Sequence, residues 1–121
     1  MSRFALVALG GAAGACARYG VALAVSAFWR REFPLATFLV NVSGCFVLGF
    51  VSAAMADRLD PAWRLLVGTG FVGAYTTFSA FEYETARLTE TGAFAWGALN
   101  VVSSVVAGFV AVKLGVVLGQ K

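Results

Sequence analysis

Histidine is absent from the 121 residues, and with it goes the side chain most used for acid–base catalysis at neutral pH. Cysteine is almost absent. Cys16 and Cys45 have no CxxC spacing and both fall inside apolar runs, so they read as small packing residues rather than a disulfide or a metal pair. Charge is scarce as well: Asp, Glu, Lys and Arg make up 12% of the chain, too little to cover a water-facing surface of ordinary charge density. A soluble fold is therefore not expected. With no metal-ligand cluster and no paired acid and base, enzyme chemistry is not indicated. The net charge of +3 is scattered rather than gathered into a basic stripe, so no nucleic-acid partner is expected.

What is abundant is apolar sequence, at 60% of the residues. Residues 33–56, 65–81 and 91–112 carry no charge, and 4–29 is interrupted only by Arg18. Each run is close to the roughly 20 residues that cross about 30 Å of hydrocarbon as a helix. The pattern predicts one all-α integral membrane domain over 1–121, with spans near 4–29, 33–56, 65–86 and 91–116 and membrane lipid as its solvent. Short connections fall at 30–32, 57–64 and 87–90. The start Met1-Ser2-Arg3 resembles the opening of a secretory signal peptide, but the run that follows is longer than the 7–15 apolar residues typical of one. The first span is read as retained.

An even number of spans puts both termini on one side, together with Arg3, Arg58, Arg64 and Lys121, and leaves Arg30, Arg31 and Arg87 on the other. Cytoplasmic loops normally hold a clear excess of Lys and Arg, which fixes orientation during insertion. Four against three is no clear excess, and Lys113 snorkelling towards the C-terminal side changes it little. A chain that inserts both ways can pair as an antiparallel homodimer about a two-fold axis in the membrane plane. The alternative is a single orientation set by other factors.

Polar residues inside a span are costly and usually face a partner or a wet path. Arg18 follows the small-residue run Gly10-Gly11-Ala12-Ala13-Gly14-Ala15, which reads as a helix-packing face; the guanidinium either pairs with a carboxylate or attracts anions. In the second span Thr37, Asn41 and Gly44 share a face by spacing, and the Asn41 amide either ties helices together or coordinates a partly dehydrated anion. The third span mixes Gly68, Gly70 and Gly73 with Thr76, Thr77 and Ser79 and predicts a broken helix, tolerated at membrane depth only inside protein or beside a cavity. Freed carbonyls there are good ligands for a small cation. Phe78 and Phe81 share a face if helix resumes, and by themselves read as core or lipid-facing. Asn100, Ser103, Ser104 and Gly108 give the fourth helix one polar, small-residue stripe.

Taken together, Gly10 to Ala15 with Arg18-Tyr19, Val40-Asn41-Val42-Ser43-Gly44, and Gly70-Phe71-Val72-Gly73 leading into Thr76-Thr77-Phe78-Ser79-Ala80-Phe81 resemble the Fluc family of fluoride channels, also described as CrcB-type camphor-resistance proteins. The third motif is the most specific. The resemblance implies a dual-topology antiparallel homodimer in the cell (inner) membrane, with two pores that export fluoride passively from the cytoplasm. It implies fluoride contact at Phe78 and Phe81, Asn41 as the pore asparagine, hydroxyls at Ser79 and Ser104, Arg18 in the vestibule and Glu84 on the third helix. It also implies a structural Na+ at the dimer interface, held by the backbone carbonyls of Gly73 and Thr76. An aromatic edge is electropositive and faces an anion without trapping it, as permeation requires. Two positions depart from the family pattern, Ala80 where Thr is frequent and Asn100 where Tyr is frequent, so local fluoride contacts are expected to differ there.

Two other classes compete. A small multidrug transporter has similar length and four spans, but exports cations with a glutamate deep in its first span, where this chain holds Arg18. A structural subunit of a larger complex would explain the glycines but not Asn41 beside a broken span.

Overall fold

A computed structural model describes residues 1–54, 56 and 60–121. The apolar runs form three long helices, α1 (Arg3–Ser26), α2 (Leu35–Ala54) and a last helix, here α6 (Phe94–Gly119), with 24, 20 and 26 residues. At 1.5 Å per residue they reach about 36, 30 and 39 Å, enough to cross a bilayer core. All three are apolar enough to do so. Between α2 and α6 the chain is helical in pieces: α3 (Pro61–Trp63), a π-helical segment (Arg64–Val72), α4 (Gly73–Tyr75) and α5 (Phe78–Glu90). The connection expected at 57–64 and the Arg58 of the charge count fall partly or wholly outside the described residues.

Local chemistry sets the ends. Ser2 Oγ accepts the Ala5 N–H at 3.1 Å and starts α1. Asp60 does the same for Ala62 at 2.8 Å, with Pro61 in the first helical position where its missing N–H is harmless. The first span stops at Ser26 instead of 29, and the Trp29 indole N–H then donates to the Phe33 carbonyl at 2.7 Å, closing the link to α2. The turn between α5 and α6 passes through Gly92 at φ 82°, a conformation that L side chains rarely adopt.

Two glycine-lined contacts hold the helices together. α1 lies along the π-helical segment, and α2 along α6. A Cβ added at Gly10 would collide with the Leu66 carbonyl, and one at Gly14 with the Phe71 carbonyl. Gly49 and Gly115 are in the same position across α2 and α6, against the carbonyls of Val112 and Phe46. Backbone meets backbone, as small-residue packing in lipid allows. Backbone cannot swing aside as a side chain can, so Gly14→Val should lower the melting temperature of the purified protein sharply, at a cost of about 1–3 kcal/mol or more. Gly20, in the same helix but with nothing within 4 Å, provides the control: Gly20→Ala should not lower it. Equal melting of the two variants would mean that α1 does not sit where described.

Candidate functional site

The third span breaks at Thr76 and Thr77, whose backbones are extended (φ −76°, ψ 156° and φ −149°, ψ 114°). The break is prepared by looser winding before it, where the Gly73 N–H bonds the Gly68 carbonyl five residues back. Beyond it α5 restarts with Thr77 as its cap, Oγ1 accepting the Ala80 N–H at 3.2 Å. Thr77 is buried, and its own backbone is satisfied from another helix. Its N–H donates to Asn41 Oδ1 at 2.8 Å, and its carbonyl accepts from Asn41 Nδ2 at 3.0 Å.

Two carbonyls consequently lose the donors a continuous helix would give them. The natural partner of the Gly73 carbonyl is the Thr77 N–H, which goes to Asn41. The natural partner of the Thr76 carbonyl is the Ala80 N–H, which goes to the Thr77 hydroxyl. Gly73 is exposed on the subunit and Thr76 half-buried. Among the described residues no group of three or more His, Cys, Asp or Glu side chains is placed to hold a metal, so the oxygens open to a cation at the break are neutral ones. The residues present fit a cation bound by backbone alone.

The second helix follows this segment along one face, as the spacing of Thr37, Asn41 and Gly44 predicts. Thr37 Oγ1 donates to Glu84 Oε1 at 2.8 Å, Asn41 clamps Thr77, and a Cβ at Gly44 would collide with the Thr76 methyl. A cavity of about 260 Å³ opens between Asn41, Cys45, Thr76 and Phe78. A second, of about 310 Å³, lies between Arg18, Tyr19, Thr37, Thr77 and Glu84. Arg18 and Glu84 thus border one space, yet Glu84 Oε2 is buried without a hydrogen-bond partner, so the guanidinium does not bond to that oxygen.

Phe78 and Phe81 are neighbours, with ring centroids 5.9 Å apart and planes at 41°. Their surroundings differ more than shared spacing suggests: Phe81 is 8% exposed and Phe78 is 73% exposed in the single subunit. Ser79 is exposed, its Oγ 3.4 Å from Thr77 Oγ1. Ser104 is on α6 and lines neither of these cavities. It is joined to Phe81 through a relay in which Ser104 Oγ donates to Asn100 Oδ1 (3.4 Å), Asn100 Nδ2 to Thr85 Oγ1 (2.9 Å) and Thr85 Oγ1 to the Phe81 carbonyl (2.8 Å). Asn100 is 1% exposed, so its amide must find partners inside the protein. Gly108, on the same stripe, faces Cys45 Sγ, while Ser103 Oγ is buried without a partner.

Two further residues, Thr85 and Tyr75, join the site only once the helices are packed. The Tyr75 hydroxyl is 3.0 Å from Ser43 Oγ and its ring stacks on Phe71 at 5.7 Å. An aromatic with a polar tip inside a span is the signal that marks Tyr75. For Thr85 the signal is weaker, a hydroxyl on the face of α5 that meets α6.

Three apolar crossing helices and a fourth, broken one with polar groups gathered at the break define a multi-pass protein of the cell membrane. The chain belongs to the CrcB-like, camphor-resistance (CrcB) family, whose model matches residues 5–116. It is 46% identical over 121 residues to the fluoride-specific ion channel FluC of Acidobacterium capsulatum, covering 98% of this chain and 97% of that one. It is 42% identical to the protein of the same name from Solibacter usitatus, over 98% and 99%. Identity to the fluoride-specific ion channel FluC 1 of Listeria innocua is 39%, over 93% and 97%.

Proposed function

We propose that this protein is a fluoride-selective channel through which fluoride leaves the cytoplasm passively, working as an antiparallel homodimer with two pores. The observation that carries the reading is the break at Thr76 and Thr77, where Asn41, Phe78 and Phe81 are gathered around backbone that no continuous helix would expose. The names of the relatives, fluoride-specific ion channels, support the fluoride-channel part of the reading.

Fluoride is small and strongly hydrated, and a pore must replace its water well enough for entry yet bind it loosely enough for exit. Phenyl edges at Phe78 and Phe81 provide weak, electropositive contact without a fixed charge. Hydroxyls at Ser79 and Ser104 and the Asn41 amide supply neutral donors. Asn41 Nδ2 carries two hydrogens and spends one on the Thr77 carbonyl, leaving one for an anion in the cavity it shares with Phe78. Arg18 raises the potential for anions in the vestibule it shares with Glu84.

The carbonyls of Gly73 and Thr76 are the residues that would hold a sodium ion, joined by the same pair from the partner subunit. Bound there, the ion supplies positive charge that ties the two subunits together. The exposure of Gly73 on the single subunit suits a ligand shared across an interface.

The decisive experiment is efflux from liposomes loaded with potassium fluoride or potassium chloride. Fluoride should leave rapidly through the purified protein and chloride should be largely retained. Chloride flux comparable to fluoride flux would end the reading.

A further inference from the structure

We infer that Asn41 is a positioning residue for the cation site: by holding Thr77 away from helical geometry it leaves the Gly73 and Thr76 carbonyls open to a cation. The inference rests on the proposal that sodium binds those carbonyls, and adds the device that creates them.

A side-chain amide presents one acceptor and one donor side by side, which matches the N–H and C=O of a single extended residue. Asn41 uses that match in full, with both amide atoms bonded to Thr77 at 2.8 and 3.0 Å. Were the amide absent, the Thr77 N–H would be a buried donor with no partner, and an unpaired backbone group at membrane depth is costly. The nearest acceptor along the chain is the Gly73 carbonyl, one helical turn back. Closing that bond would continue α4 into α5 and occupy the oxygen that a cation needs. The same closure would withdraw Thr77 from its extended conformation, in which its hydroxyl caps Ala80, and return the Ala80 N–H to the Thr76 carbonyl. One side chain on α2 thus controls both oxygens.

A tie between α2 and α5 alone is a different role, and the molecule contains one for comparison. Thr37, one turn before Asn41 on the same face, bonds Glu84 at 2.8 Å and touches neither Gly73 nor Thr77 by hydrogen bond. Removing it loosens the helix pair without closing the break.

The test is the sodium-specific rise in melting temperature of the purified protein, measured in sodium chloride against N-methyl-D-glucamine chloride. Wild type and Thr37→Val should both show the rise. Asn41→Leu, of similar volume but with no amide, should lose it or need at least tenfold more sodium. A rise of wild-type size at wild-type sodium concentration in Asn41→Leu overturns the inference, as does its equal loss in Thr37→Val. A wild type indifferent to sodium overturns the cation reading itself and this inference with it. If Asn41→Leu does not fold, nuclear magnetic resonance of wild type decides. The Thr77 amide should resist hydrogen exchange in sodium-free buffer, and the Gly73 carbonyl carbon should shift on adding sodium. Free exchange at Thr77, or an unmoved Gly73 carbonyl, overturns it.

Discussion

Phe78→Ile should reduce fluoride flux through liposomes by up to about tenfold, while the melting temperature of the purified protein stays near that of wild type. Flux depends on the edge of the ring. Isoleucine keeps most of the bulk but has no quadrupole, and aromatic contacts of this kind contribute about 0.5–1.5 kcal/mol each. A loss of 1.4 kcal/mol is a factor of ten in equilibrium terms, and an ion that meets the ring from a partly dehydrated state feels that loss on entry. Stability is little affected because Phe78 is 73% exposed on the subunit and so contributes little to its core. Phe81→Ile should lower flux as well, but it is the less clean test. At 8% exposed, Phe81 is packed inside the subunit, where a change of shape costs up to about 1.5 kcal/mol even at constant volume. Normal fluoride transport in both variants would return the two rings to packing.

The ease with which the helices are read from sequence, and the difficulty of reading the break, have one physical source. Hydrophobic runs report the solvent around a segment, so α1, α2 and α6 follow from the long apolar runs, with Arg18 inside α1 and α6 continuing past its uncharged part through Lys113 to Gly119. The third span does not, because its uncharged part ends at Phe81 while α5 continues to Glu90 through Glu82, Glu84 and Arg87. The glycines at 68, 70 and 73 predict that this span is irregular. They do not predict that the irregularity falls at Thr76 and Thr77, two residues with ordinary side chains. That location is fixed by an amide on another helix, 36 residues away in sequence. The same holds for Thr37 with Glu84 and for Asn100 with Thr85: spacing places Thr37, Asn41 and Asn100 on polar faces, but only the packed structure provides their partners. For Asn41 the two alternatives left open by sequence become compatible, since the amide ties helices with one N–H and keeps the other.

Adding two lysines after Lys121 should abolish most fluoride transport when that chain is the only one present. With both termini on one side, the unmodified chain sets Arg3, Arg58, Arg64 and Lys121 against Arg30, Arg31 and Arg87, a difference too small to decide insertion. Arg58 lies outside the described residues, but its place in sequence between the second and third spans is enough for the count. Two further lysines at the C-terminus create a clear excess on that side, and short flanking segments are where the topological signal is read. The modified chain should therefore insert one way only, which accessibility labelling of single cysteines at each end can verify. An antiparallel dimer cannot form from chains that all face the same way, because its two-fold axis lies in the membrane plane. Gly73, exposed on the lone subunit, would then have no matching residue opposite it. A second variant biased the other way, with two lysines beside Arg30 and Arg31, should be equally inactive alone, and co-expression of the two should restore transport. That rescue separates orientation from simple damage, since two damaged chains would not repair each other. If the first variant alone transports fluoride normally while labelling shows a single orientation, the functional unit is built from parallel subunits, and Asn41, Phe78 and Phe81 line a pore of different symmetry.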